Sequence, residues 1–207
     1  MKDRSESTIE QADPEGKRRS KLPECDASRP ACCASCKAPS RPIGSRLQLV
    51  GHGLRTREQR GPQGPGQRPI DVTVETRRYK CRPCGAVMTV APRGVLRRRL
   101  YSATAIGLSL ALFGIEGHSA RAVREAIAPT ASHRDPAESA TWSTLRRWAR
   151  EAKAGALIDD TACPATFSLR QAAERVATSL RSLGRRGLDG LERVWHGALE
   201  ARWRGAS

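Results

Sequence analysis

Two short cysteine motifs carry the clearest chemistry in the chain, Cys33-Ala-Ser-Cys36 and Cys81-Arg-Pro-Cys84. A C-x-x-C pair closes a tight turn that presents both sulfurs to one ion. Two such pairs supply the four thiolates of a tetrahedral zinc site, with Zn–S bonds of about 2.3 Å. Gly85 follows the second pair, where a left-handed turn suits glycine, whereas Lys37 holds that place after the first. A redox pair belongs beside a βαβ pattern, which the sequence lacks. Cys33, Cys36, Cys81 and Cys84 are therefore the expected ligands of a structural Zn2+. Cys32 can replace Cys33 through a longer spacer, and Cys25 lies close enough to compete. Cys163 reads as a free buried thiol, and His52, between Gly51 and Gly53, as a structural residue. Catalytic zinc keeps an open water position and a base nearby. Glu58 and Glu75, the glutamates between the knuckles, have no motif context. No catalytic residue and no small-molecule substrate are expected.

The knuckles are 44 residues apart, so strands and a loop must bring them together. Ile70–Tyr79 alternates apolar and polar residues, which predicts a strand. Arg46–Val50 is a weaker strand signal, and Ala86–Val90 a third, closed by Pro92. The Gly- and Pro-rich run 61–67 predicts a loop. From Ser102 the period becomes helical, with Ala103, Ile106, Leu110 and Phe113 at spacings of three and four. Ser119 is a good N-cap for a second helix to about Ile127, ended by Pro129. After a polar loop at 130–139, Thr141 can cap a third helix, Trp142 to about Ala154. Two further helical stretches follow, Ser168–Leu183 and Leu188–Trp203, separated by 184–187. They form either a hairpin packed on the first three helices or a homodimer surface.

Charge then narrows the partner. The 207 residues carry a formal net charge of +16. Residues 41–100 hold fourteen basic groups against three acidic ones, and most of the fourteen are arginine. Arginine presents a planar fork of donors that suits phosphate oxygens and guanine edges. A polyanion is the expected partner, duplex DNA first. The third helix sets Leu145 and Trp148 inward and Ser143, Arg146, Arg147 and Arg150 outward, the design of a helix that enters the major groove. Trp142 can pack or touch sugar and base methyl groups. Arg97, Arg98 and Arg99, just before the first helix, can track a phosphate backbone. The competing interpretation of both features is a solvated basic surface.

Tyr79-Lys-Cys-Arg-Pro-Cys-Gly85, Met88-Thr-Val-Ala-Pro92, the arginine-rich stretch after it, Tyr101-Ser-Ala and Ser143-Thr-Leu-Arg-Arg-Trp148 together resemble a bacterial group. These are transposase-like proteins in which a zinc ribbon precedes a homeodomain-like helix-turn-helix that, in insertion-sequence transposases, binds the element ends. The resemblance spans roughly residues 33–153. It implies that Cys33, Cys36, Cys81 and Cys84 bind zinc and that the 141–150 helix reads DNA. Transposase catalysis needs three carboxylates on a large RNase H-like domain. The acidic groups after the third helix (Asp159, Asp160, Glu174, Asp189, Glu192, Glu200) do not suggest one, so a binding module rather than an enzyme is expected.

The expected fold class is α+β, divided as a disordered tail (1–24), a zinc-ribbon-like module (25–95), a helix-turn-helix-like region (96–155) and a C-terminal helical hairpin or extension (156–207). Neither an export signal nor a membrane-spanning stretch is evident, so a cytoplasmic, nucleoid-associated protein is expected. A zinc-ribbon adaptor for another protein and an RNA-binding module are the alternatives. Few aromatic residues in the ribbon weaken the latter.

Overall fold

Alternation of apolar and polar residues builds the sheet, and helical spacing builds the rest. The computed structural model describes residues 9–12, 18–20, 26–128, 142–159 and 161–204. The chain is α+β and divides into two compact units, Met1–Glu58 with Val72–Arg93, and Gln59–Asp71 with Gly94–Ser207. Cys25, the 130–139 loop, Thr141 and Asp160 lie outside the described residues.

Two short strands, β1 (Ile9–Ala12) and β2 (Arg18–Ser20), pair antiparallel within the segment expected to have no regular structure. The main sheet is antiparallel: β3 (Leu49–Gly61), β4 (Ile70–Cys81) and β5 (Val87–Val90), with β4 between the other two. In addition, β2 runs parallel to β4, with Arg18 opposite Val72. On β4, Val72, Val74 and Thr76 alternate inward, and the phase then slips so that Tyr79 and Cys81 are buried. The Tyr79 hydroxyl lies 2.7 Å from Ser28 Oγ, and the Arg29 guanidinium sits 5.9 Å from the ring centre. Asp26 holds Arg29 and Arg41, each at 2.7 Å.

Strand β3 begins where the weaker signal ends and runs eleven residues past Val50. Residues 51–56 are all exposed, so no buried face imposes a period of two, and Gly53 adopts φ +89° within the strand. Alternation reports one-sided burial, and here there is none to report.

Five helices form the second unit among the described residues. Ser102 caps α1 (Ala103–Gly114), its Oγ accepting from the Ala105 N–H at 3.0 Å. Every residue from Ala103 to Ala111 is buried, so α1 is the central helix and not an amphipathic one. Ser119 caps α2 (Ala120–Ile127), which turns Val123 and Ile127 inward. Helix α3 (Ser143–Lys153) starts at Trp142 and buries Leu145, Trp148, Ala149 and Ala152. Helix α4 (Leu169–Leu183) opens with a capping box of Ser168 and Gln171, and Asp189 caps α5 (Gly190–Glu200).

Helices α4 and α5 pack on each other and on α1. Leu157, Val176, Leu180, Val194 and Trp203 belong to the same buried cluster as Leu96, Ile106 and Trp148. The approach is close enough to require glycine. A Cβ at Gly197 would fall on the Leu180 carbonyl, and one at Gly114 would meet the α4 backbone at Glu174. Arg170 of α4 closes the end of α1, donating to the Phe113 and His118 carbonyls while stacking 4.3 Å from the Phe113 ring. Among the described residues, no helix is long and apolar enough to cross a membrane.

Candidate metal centre and basic face

The two knuckles are built alike. In the first, the Lys37 N–H donates to the Cys33 carbonyl at 3.0 Å, and the Cys33 N–H to the Ala38 carbonyl at 2.9 Å. In the second, Gly85 donates to Cys81 at 2.9 Å and Cys81 to Ala86 at 2.8 Å. Both turns need a left-handed residue after the second cysteine: Gly85 has φ +74° and Lys37 has φ +60°. Lysine there carries the steric cost that glycine avoids. Lys37→Gly is therefore expected to raise the unfolding free energy read from denaturant midpoints of the metal-loaded protein, by about 0.5–1 kcal/mol after glycine's own entropy is counted. Gly85→Ala should lower it by about 1 kcal/mol. An unchanged or lower midpoint for Lys37→Gly would show that the turn is not strained.

The knuckles meet face to face. Cys33 Sγ lies 3.7 Å from Cys84 Sγ, and Cys36 Sγ lies 3.6 Å from Cys81 Sγ. All four sulfurs fall within 4.8 Å of one another. A tetrahedral ion with metal–sulfur bonds of about 2.3 Å requires sulfurs about 3.8 Å apart, so the four cysteines can hold one metal ion. Cys33 and Cys81 are buried with Leu49, while Cys36 and Cys84 face outward. Exposed Cys32 is not part of the group, and Cys163 is a partly buried free thiol donating to the Thr161 carbonyl.

The same turns favour the thiolate form of one sulfur. The backbone N–H of Cys36, helped by that of Ser35, holds the Cys33 thiol down to about 6 against the opposing effect of burial. Cys81 receives a similar N–H from Cys84, but burial and competition with the other three sulfurs push it up to about 12. A cation among four sulfurs this close would stabilise their thiolates, and its binding would release the protons they hold.

The residues expected to meet DNA lie on the second unit. Ser143, Arg146, Arg147 and Arg150 are all exposed on α3, opposite its buried face. Below them three rings lock the helix. Tyr101, Trp142 and Trp148 stack edge to face, with centroids 5.2, 5.5 and 6.0 Å apart. Trp142 is buried in this cluster, so of its two expected roles it takes packing. Burial also pushes the Tyr101 hydroxyl above its usual range. No family model, curated protein or solved structure matches the chain.

Arg97, Arg98 and Arg99 come together with Arg147 in one cleft of about 450 Å3, joined there by Glu151 and Arg204. Arg99 pairs with Glu151 at 2.8 Å, and Arg204 with Asp159 at 3.0 Å. Sequence reasoning missed Arg204, which is brought in by a fold-back: the Arg204 N–H donates to the Leu157 carbonyl, and Trp203 Nε1 to that of Ala198. No local pattern signals a contact between residues so far apart in the chain.

Proposed function

We propose that the chain is a zinc-stabilised DNA-binding protein, transposase-derived or regulatory. The first unit is then a zinc ribbon and α1–α3 a helix-turn-helix. The observation that carries this reading is the two-sided surface of α3: four exposed polar or cationic residues above a face locked by Trp142, Trp148 and Tyr101. A rigid helix with a basic outer face suits the major groove, where arginine forks match guanine O6 and N7. Zinc is the metal that best suits four cysteine sulfurs at tetrahedral spacing. With every ligand position filled by protein, its role is structural. The resemblance of 79–92 and 143–148 to transposase-like DNA-binding regions agrees with both assignments.

Fluorescence anisotropy with a labelled random duplex tests the reading. The zinc-loaded chain is expected to bind with a Kd of about 1–100 μM near physiological salt, and log K should fall steeply with log salt, by about 0.9 per phosphate neutralised. Arg147→Ala and Arg150→Ala should each either flatten that slope by about 1, for a phosphate contact, or cost about 1–3 kcal/mol on a preferred site, for a base contact. A chain that ignores duplex even at low salt would overturn the proposal and turn attention to protein partners.

A further inference from the structure

The arginine cleft is built more elaborately than a solvated surface requires. Five guanidinium groups (Arg97, Arg98, Arg99, Arg147, Arg204) line it, with Glu151 the acidic residue among them. They come from three places: the loop before α1, the outer face of α3 and the segment after α5. Two of them are held from the side, Arg99 by Glu151 and Arg204 by Asp159 through its Nε, which leaves the two terminal nitrogens of Arg204 outside that pair. Among the described residues no carboxylate pairs with Arg98 or Arg147. Bringing like charges together is unfavourable, and an anion among them reverses the sign.

A second observation is independent of charge. Arg98 has φ +58°, in the left-handed region that favours glycine. Such strain persists where the surrounding structure over-determines it, and it concentrates at ligand sites. Here it turns the chain so that three consecutive arginines line one cleft.

We propose that this cleft is a phosphate-binding site, with Arg98 and Arg147 gripping the oxygens and Arg204, from the C-terminal fold-back, completing the grip. Arginine suits this task through paired, charge-assisted N–H···O bonds. The volume lies within the usual span of small ligand sites, about 300–1,000 Å3. The phosphate is a backbone phosphodiester of the duplex, and to that extent the inference rests on the DNA-binding reading. The same chemistry would accept a free polyphosphate.

The test uses the full zinc-loaded chain and three variants, Arg204→Ala, Arg98→Gly and Arg150→Ala, with random duplex and with inorganic tripolyphosphate as separate probes. Arg204→Ala is expected to weaken duplex binding three- to tenfold, equally across sequences, and to flatten the salt slope by about 1. Arg98→Gly gives the sharper readout. It relieves the backbone and removes a guanidinium, so the melting midpoint should rise while duplex affinity falls, whereas a residue with only a structural role would move both the same way. If Arg204→Ala and Arg98→Gly bind duplex like the parent while Arg150→Ala weakens it, the cleft proposal is overturned and the DNA reading stands. If the parent ignores duplex but binds tripolyphosphate, and Arg204→Ala abolishes that binding, the cleft stands with a free polyphosphate as its ligand and the DNA reading falls. Binding of neither probe overturns both.

Discussion

On the proposed reading, removing zinc from the four-cysteine centre is expected to unfold the first unit outright. Among the described residues, the apolar cluster at the centre consists of buried Cys33, Leu49 and Cys81, with Ala38, Ala86 and Met88 packed partly against them. So small an apolar cluster cannot offset the entropy of ordering the knuckles. Structural zinc sites of this type contribute about 10–16 kcal/mol of apparent binding energy at neutral pH, and that energy is folding energy. Chelation should therefore abolish slow amide exchange on β4 and β5, and added zinc should restore it. Cys81→Ser should have the same effect permanently. The helices of the second unit serve as an internal control, because their core contains none of the four ligands. A metal-free protein that keeps its sheet amides protected would refute the structural role.

The other large effect is expected at Trp148. It is 1% exposed and stacks on both Tyr101 and Trp142. Trp148→Ala removes the largest side chain from this core and should cost about 3–5 kcal/mol. In a unit of this size that lowers the melting midpoint by roughly 10–15 °C. Trp148→Phe, which keeps a ring, should lose much less. On the proposed reading Trp148→Ala also loosens the exposed face of α3, so duplex affinity should fall although no arginine has changed. Calorimetry and the anisotropy titration read the two effects separately. A variant that melts like the parent would show that the ring cluster does not brace the helix.

What the sequence made legible follows from which signals are local. The knuckles were legible because a two-residue spacer fixes its own geometry, the start of α2 because the Ser119 cap is read from one side chain, and the starts at Ser102 and Ser168 because the helical pattern begins there. The meeting of the two knuckles was implied by chemistry, since a tetrahedral ion takes four ligands, but the nearest approaches, Cys33 to Cys84 and Cys36 to Cys81, were not. Strand β3 was largely illegible because a strand exposed on both faces carries no alternation. The central burial of α1 was hidden as well. Its apolar residues at spacings of three and four suggested one buried face, whereas Ser109, donating to the Ala105 carbonyl, shows that its polar positions are buried too. The Arg204 contribution was out of reach for a third reason, since only the fold-back through Trp203 brings that residue to the cleft.

The spacing of the knuckles also has a meaning during synthesis. On the proposed reading, Cys33 and Cys36 cannot complete a ligand set until Cys84 is made, 48 residues after Cys36. At a ribosomal rate of about 5–20 residues per second, the first pair waits roughly 2–10 s for the second. Throughout that interval the newborn chain carries two complementary thiols, with Cys32 adjoining them, and none has its final partners. The chain is then most open to oxidation or to the wrong ion, before the centre it will build can protect it.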